Sequence, residues 1–415
     1  MCAALAVEGG NPVKRSFSFA NLIVACAAGA AIGVLCMIAI YAAQFGGFDS
    51  YAAARKFSAV YNAIGKYYIG DADMEDVSDA GYSAMVDATG DQWSAYFNAD
   101  DYKRLQQYTN NSYNGIGVTI VKDAETELYK VQAVLEDSPA SRAGVQIGDT
   151  LLSIGDVSLK GKTASQIHTL IEKEKGDFTL VLGAADGSRR TVTVSTAIVY
   201  AKPVKYELLN DGIGYVHIKN FETGAGDGIV EAVDSLAAQG AKGIVFDVRG
   251  NPGGLLTELL KALDHILPEG DIFVSRDKNG SERVETSDAN CVKLPMTVLV
   301  NADTYSAAEF FAAALSEYGW AKIVGSHTTG KARSQINIEL FDGSAVHLST
   351  RSYLTPKRVD LAETGGLTPD VEVALSEDAE NQRLGGTLAQ DADDQLQAGI
   401  STLKSEIKDA DHELS

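Results

Sequence analysis

Cysteine is nearly missing from this 415-residue chain: there are four, and Cys2, Cys26 and Cys36 all lie within the first 36 positions. Only Cys291 remains for the rest of the chain, so no disulfide framework holds it together. No Cys/His cluster has metal-ligand spacing either, and nothing calls for a cofactor. Basic residues are outnumbered, with 35 Lys and Arg against 56 Asp and Glu and a formal net charge of −21. Such a surface repels a polyanion, which excludes nucleic-acid binding. Its plain meaning is a well-hydrated exterior. The six histidines include no recognisable triad motif; His217, His265, His327 and His347 read as structural or surface residues. Low-complexity tracts and internal repeats are absent. Hydrophobic content of 45% with 22% charged residues is ordinary for a globular protein. At this length two or three domains are expected.

Charge is also missing from Ser16 to Phe48, and Leu22 to Ala43 is almost wholly apolar. About 20 such residues span a bilayer as a helix. Lys14 and Arg15 precede the stretch and Asp49 follows it. By the positive-inside rule residues 1–21 stay cytoplasmic, 22–45 form a signal anchor, and the remainder is exported. The expected location is the cell membrane, single-pass, with the bulk of the chain extracytoplasmic. A cleaved signal peptide is the competing reading, although its apolar region usually runs only about 7–15 residues. Ile23-Val24-Ala25-Cys26 also resembles a lipoprotein cleavage box, with little apolar sequence ahead of it.

Residues 50–107 read as helical, with apolar positions at helical spacing in Phe57–Ile64, a turn at Gly90-Asp91-Gln92 and an N-cap near Asn98. Residues 108–199 change character. Strand patterns at Val118–Val121 and Tyr129–Leu135 precede a short helix at Ala164–Lys173. Phe178–Leu182 and Arg190–Ser195 then flank Ala185-Asp186-Gly187-Ser188, whose Asp-Gly signals a hairpin. From 200 to 375 strands and helices alternate. Gly214–Ile218, Gly243–Val248, Thr297–Asn301 and Lys322–Val324 read as strands, separated by helices at Asp227–Gln239, Leu255–Ile266 and Ala307–Tyr318. That alternation implies a layered α/β domain. Residues 376–415 are acidic and helical, most clearly over Asp391–Ile407.

In the 108–199 module, Gly115-Ile116-Gly117-Val118 opens onto a strand. Backbone N–H groups in such a loop can hold a carboxylate while the strand edge pairs with an extended peptide. Alone, the string reads as a turn. Downstream, however, Ser138-Pro139-Ala140-Ser141-Arg142-Ala143-Gly144 leads into Gly148-Asp149-Thr150-Leu151 and Ile154-Gly155. This stretch resembles that of PDZ domains and, with the glycine loop, covers the module.

Three further motifs carry chemistry. Asp247-Val248-Arg249-Gly250-Asn251-Pro252-Gly253-Gly254 lies between a buried strand and a helix. Paired glycines there let backbone N–H groups approach a developing oxyanion; a tight turn is the bland alternative. Asn301-Ala302-Asp303-Thr304-Tyr305-Ser306-Ala307-Ala308-Glu309 places a serine at a helix start, where most serines merely cap. Thr328-Thr329-Gly330-Lys331-Ala332-Arg333-Ser334-Gln335 places a lysine beyond another strand. Lysine serves as a base only if burial brings its pKa from about 10.4 to nearer 7; by itself it reads as a surface lysine.

Taken in order, these motifs, with Arg351-Ser352-Tyr353-Leu354-Thr355-Pro356 and Gly366-Leu367-Thr368-Pro369-Asp370, closely resemble the carboxyl-terminal processing peptidases, the S41 family of serine proteases. Asp91-Gln92-Trp93-Ser94-Ala95-Tyr96-Phe97 and Asp394-Gln395-Leu396-Gln397-Ala398 are similar to the family's flanking segments, so the resemblance covers about residues 55–405. It implies a mixed α/β fold: a layered protease core of the S41, crotonase-like type at 200–375, an inserted PDZ domain, and an N-terminal transmembrane helix. By the same resemblance Ser306 is the nucleophile, Lys331 the general base and Gln335 the residue that orients it. The N–H of Ala307, with that of Gly253 or Gly254, forms the oxyanion hole, and Gly115–Val118 binds the peptide. The implied enzyme is a membrane-anchored serine endopeptidase that grips exposed C-termini of protein or peptide substrates. Its PDZ domain can cover the catalytic site until a C-terminus docks. A homodimer or a regulatory partner is open. Tyr305, Ala308 and Ala332 depart from the family's usual residues without removing a catalytic atom. Two other readings stand beside this one, a membrane-tethered PDZ adaptor on an inactive protease scaffold and a structural envelope protein.

Overall fold

A computed structural model of the chain describes residues 19–44, 46–123, 125–184 and 187–413. Residues 1–18 of the expected cytoplasmic segment, and Ala185 and Asp186 of the expected hairpin turn, lie outside these. The chain divides into two units, the first ending at Met85 and the second beginning at Val86.

The first unit is helical. Phe19–Gln44 is followed by Phe48–Tyr67, and a third helix starts at Met74. Over Phe19–Ile40 the first helix is long and apolar enough to cross a membrane, and none of that window is buried within the protein. Phe57 and Tyr82 stack with ring centroids 5.3 Å apart, tying the second helix to the third.

The second unit is built on a six-stranded sheet. Val204–Leu209 runs antiparallel to Ile213–Ile218, which is joined in parallel by Gly243–Asp247, Met296–Val300, Ala321–Gly325 and Val371–Glu372, in that spatial order. Every residue of Gly243–Asp247 and Met296–Val300 is buried, as parallel strands covered on both faces must be. Helices Ala225–Ala238, Leu256–Ile266 and Ala307–Glu317 supply the larger core, around Phe221, Phe246, Phe310 and Phe311. The C-terminal helix Asp394–Glu413 covers the opposite face, setting Leu396 and Leu403 against Val245, Leu299 and Val324. The layered α/β arrangement expected from the alternation is thus present.

A second sheet was not anticipated. Ala95–Phe97, Ala345–Leu354, Gly270–Asp277 and Glu282–Ser287 pair in that order, and Arg333–Glu339 adds to Ala345–Leu354. The helical reading of 50–107 is corrected accordingly: Ala95–Phe97 is a strand antiparallel to Ala345–His347. Beyond it the chain resumes as the helix Ala99–Thr109, with Asn98 Oδ1 capping Asp101 N–H at 2.9 Å.

Residues between this helix and Val204 form a module with its own core, including Val131, Leu151, Ile167 and Leu180. The strands run Val118–Lys122, Tyr129–Val134, Thr150–Ile154, Asp177–Gly183, Arg189–Ser195, with the helix Ala164–Lys173 beside them. Entry and exit are a single ribbon in which Ser112–Gly115 pairs with Ala197–Tyr200. Buried Asp149 of the Gly-Asp pair accepts Gln146 N–H at 2.7 Å and an Arg190 N–H, closing the turn ahead of Thr150–Ile154.

Candidate active site

The loops that follow Gly243–Asp247 and Met296–Val300 leave the C-terminal ends of parallel strands, the side where open α/β sheets place their ligands. After Met296–Val300, the Asn301 side chain receives N–H groups from Gly250 at 2.8 Å and Asp303 at 3.2 Å. Thr304 Oγ1 donates to Val248 O at 2.8 Å, and Tyr305 N–H to Asn251 O at 3.1 Å. These bonds fasten the serine loop to the Asp247–Gly254 loop. Ser306 then takes φ 58° and ψ −128°, a conformation that costs a non-glycine residue about 1–3 kcal/mol and persists only where its surroundings impose it. The helix Ala307–Glu317 begins at once and is buried from Ala307 to Leu315, with Ala308 fully inside the core.

The imposing group is Glu309, a fully buried carboxylate that accepts four hydrogen bonds. Its Oε2 accepts Ser306 N–H and Lys331 N–H, both at 2.9 Å. Oε1 accepts Gly330 N–H at 2.7 Å and the Thr328 hydroxyl. Burial pushes this carboxyl up and the four donors pull it back, leaving it above the usual range. One side chain therefore binds the serine's loop to the lysine's loop.

Lys331 is half-buried, and Ser306 and Lys331 line the same cleft of about 440 Å³. Burial lowers the lysine's pKa, opposed by the carboxylates of Asp91, Glu222 and Glu309; the net direction is down. The Nζ lies 4.7 Å from the centre of the Trp93 ring and 5.8 Å from that of Tyr305. Aromatic faces favour the cation, so this contact works against neutralisation. Trp93 is aimed by a turn in which Asp91 Oδ1 accepts its N–H at 3.3 Å, and Ser94 Oγ docks the turn by accepting Ser349 N–H at 3.0 Å.

The expected oxyanion donors divide. Gly253, at φ 87°, lies so close to Ser306 and Ala307 that a Cβ would sit 2.8 Å from both Ser306 Cβ and Ala307 N. Its own N–H, however, donates to Asn251 Oδ1 at 2.8 Å, which removes it from the hole. Gly254, at φ 150°, packs on the Phe221 backbone where a Cβ would fall 2.3 Å from the carbonyl carbon, and it lines the cleft. Gln335 also lines the cleft, but its amide donates to Arg333 O at 3.1 Å and Ser349 Oγ at 2.9 Å.

Asp247 and Arg249 hold this loop from beneath. Arg249 Nη2 lies 2.7 Å from Asp247 Oδ2 and 2.8 Å from Asp393 Oδ2, and Nη1 reaches Asp393 Oδ1 and Gln395 Oε1 at 2.9 and 3.1 Å. All four residues are buried. Burial raises the Asp247 carboxyl, but Arg249 more than reverses this and holds it at about 2.

In the smaller module, Ile116 is only 2% exposed and belongs to the core, so whatever Gly115–Val118 binds is met by backbone rather than by that side chain. Gly115 ends a ribbon strand opposite Ala197, and the carbonyls of Ile116 and Gly117 accept from Ala140 and Leu135 at 2.8 and 2.9 Å. Val118–Lys122 is the outermost strand of its sheet. Residues that the motifs alone did not single out are Trp93, Tyr108, Glu222 and His347 in or beside the cleft, and Glu309 beneath it. Trp93 and Glu309 stand inside recognised segments, which was the available signal; Tyr108, Glu222 and His347 had none.

Comparison with known proteins places these features. The family description "Peptidase family S41" matches residues 212–373, and "PDZ domain" matches 130–182. The carboxy-terminal processing protease CtpA of Bacillus subtilis is 30% identical over 323 residues, covering 77% of this chain and 69% of that protein. A CtpA-like serine protease of Staphylococcus epidermidis is 27% identical over 325 residues. That match covers 77% of this chain and 65% of the relative, so the chain spans just under two thirds of the latter's length. In three dimensions an S41 protease from Bacteroides fragilis superposes with a TM-score of 0.54 over 78% of this chain and 90% of its own, at 17% identity, a likeness of fold. Because the family's stretch contains both the Ser306 and Lys331 loops and the similarity to CtpA runs through more than two thirds of that protein, the chain belongs to peptidase family S41, among the carboxy-terminal processing proteases.

Proposed function

We propose that this chain is a membrane-anchored serine endopeptidase whose nucleophile is Ser306 and whose base is Lys331. The observation that carries the reading is the shared tether. A serine in a strained backbone and a lysine lowered by burial open onto one cleft, and the Glu309 carboxylate holds both of their backbones. In the proposed reaction the Lys331 amine leaves the Trp93 face, loses its proton, and accepts that of Ser306 Oγ as the oxygen attacks a peptide carbonyl carbon. The oxyanion is met by the N–H groups of Ala307 and Gly254. Lys331 then protonates the departing amine, and water, deprotonated by the same lysine, releases the acyl group. Gln335 reaches an orienting role only after its amide turns from Arg333 O and Ser349.

The PDZ module is the natural grip for a substrate C-terminus: Val118–Lys122 offers an open strand edge and the Gly115–Gly117 loop offers backbone. The apolar helix Phe19–Ile40 serves as the anchor in this reading, with the catalytic unit outside the cytoplasm. The test is cleavage of an unstructured protein substrate by the wild type, Ser306→Ala and Lys331→Ala. Each substitution is expected to abolish cleavage while leaving the melting temperature within a few degrees; full activity in either variant overturns the dyad.

A further inference from the structure

The cleft contains a buried polar atom without a partner. Glu222 is 8% exposed, and its Oε2 makes no hydrogen bond among the described residues. Its place is fixed by the oxyanion loop, since Phe221 N–H donates to Gly253 O at 2.7 Å and Leu255 N–H to Phe221 O at 2.8 Å. Leu105, Leu255 and Leu256 line the same cleft, which gives it an aliphatic portion beside the polar Tyr108, Lys331 and Arg333. An unpaired carboxyl in such a setting is costly and needs a complement. Burial and the nearby Glu258 push it up to about 7, with Lys331 pulling in the other direction.

We propose that Glu222 is the specificity-determining residue of a substrate subsite that accepts a lysine or arginine side chain. This deepens the peptidase reading and rests on it. Only those two side chains combine a long aliphatic stem, matching the leucines, with a cationic head that satisfies an isolated carboxylate. A small apolar side chain leaves the oxygen unpartnered, and an acidic one adds like charge. Lys331 and Arg333 are the internal cations of the cleft, but the Lys331 ammonium is over the Trp93 and Tyr305 rings and the Arg333 guanidinium is held by Ala332 O and Asp360. The ionisable groups that act on Glu222 are Glu258 and Lys331, and Glu222 in turn acts on the Tyr108 hydroxyl.

The experiment gives the purified whole chain a proteome-derived peptide library and reads the cleavage sites by mass spectrometry. Synthetic peptides varied at the emerging position then supply kcat/KM. One subsite is expected to be enriched in Lys and Arg, with lysine favoured over glutamate by about tenfold or more, and Glu222→Gln is expected to flatten that ratio to within about twofold. Ratios are compared, so a general fall in the variant's rate does not affect the outcome. Cleavage without basic enrichment at any position, or enrichment retained in Glu222→Gln, overturns the proposal while leaving the peptidase reading intact. Absence of all cleavage by the wild type defeats that reading, and the proposal with it. Should Glu222→Gln fail to fold, the wild type decides. The lysine-to-alanine ratio should rise with pH as Glu222 ionises, because the Lys331 titration is common to both peptides and cancels. A ratio flat from pH 5.5 to 8.5 overturns the proposal.

Discussion

Replacing Glu309 by glutamine changes almost nothing in size and should nevertheless cripple the protein. The carboxylate accepts four donors, two on each oxygen, from Ser306, Thr328, Gly330 and Lys331. An amide retains one oxygen and turns an NH2 group toward the other two donors. Two hydrogen bonds to a charged acceptor are lost, at about 1.5–3 kcal/mol each. Part is recovered, because a neutral amide is less costly to bury than a carboxylate. A net loss of about 2–4 kcal/mol is expected, which for a catalytic domain of this size lowers the melting temperature by roughly 4–16 °C. Activity should suffer more than stability. Freed from a common acceptor, the Ser306 and Lys331 loops drift, and a displacement of about 1 Å costs on the order of 100-fold in rate. The assay pairs thermal unfolding with kcat and KM on an unfolded protein substrate, and includes Glu309→Asp, which keeps the charge but shortens the reach. A fall in kcat with KM little changed is expected for Glu309→Gln, with partial recovery in Glu309→Asp. A glutamine variant with wild-type melting temperature and kcat would refute the tether.

Four other outcomes follow from the same geometry. Arg249→Met strands the buried Asp247 and Asp393 carboxylates and should cost about 3–5 kcal/mol, read by urea unfolding. The Asp247–Arg249 pair also sets acid sensitivity. The Asp247 carboxyl is depressed to about 2 in the folded state, so its contribution is complete above its unfolded pKa of about 4 and is lost as pH falls toward 2. Circular dichroism during acid titration should show that loss, and Arg249→Met should remove Asp247's share of it and leave that of the other depressed carboxylates, such as Asp277 and Glu380. Gly254→Ala drives a Cβ into the Phe221 carbonyl carbon at 2.3 Å and should abolish cleavage even where the protein still folds, which labelling of Ser306 by a fluorophosphonate can follow. In the proposed reaction, Lys331 must be neutral to accept a proton. The rate should therefore climb with pH through a midpoint below the ordinary lysine range, and a pH-independent rate between 6 and 10 contradicts the assignment.

Legibility in the sequence followed burial. Strands covered on both faces, such as Gly243–Asp247 and Met296–Val300, are continuous apolar runs, and the chemistry-bearing motifs stand at their C-terminal ends. The second sheet escaped because Ala345–Leu354 is half-buried along nearly its whole length and shows no alternation. Its turns did carry a usable signal: Asn279-Gly280 and Asp342-Gly343 both mark hairpins. At the site, Ser306 and Lys331 were readable because each sits in a local motif. The Glu309 network was not, since its four donors come from two loops joined only in the fold. Gly253 could not be separated from Gly254 by sequence, because the difference is a single bond to Asn251 Oδ1. Nothing in Phe221-Glu222-Thr223 announces that its carboxyl is buried without a partner in a cleft lined by residues of other elements.

The Arg249 cluster has a consequence for the order in which the protein becomes an enzyme. Arg249 meets Asp393 across 144 positions of sequence, and the helix that follows Asp393 seals one whole face of the sheet. During synthesis from the N-terminus, Gly253, Gly254, Ser306 and Lys331 emerge before that helix does. Until it arrives, the guanidinium has Asp247 alone, and Val245, Leu299 and Val324 face water. The loops that carry Ser306 and Lys331 therefore gain their full support only once residues 393–413 have been made, so the C-terminal helix acts as the last piece that locks the sheet and its loops together.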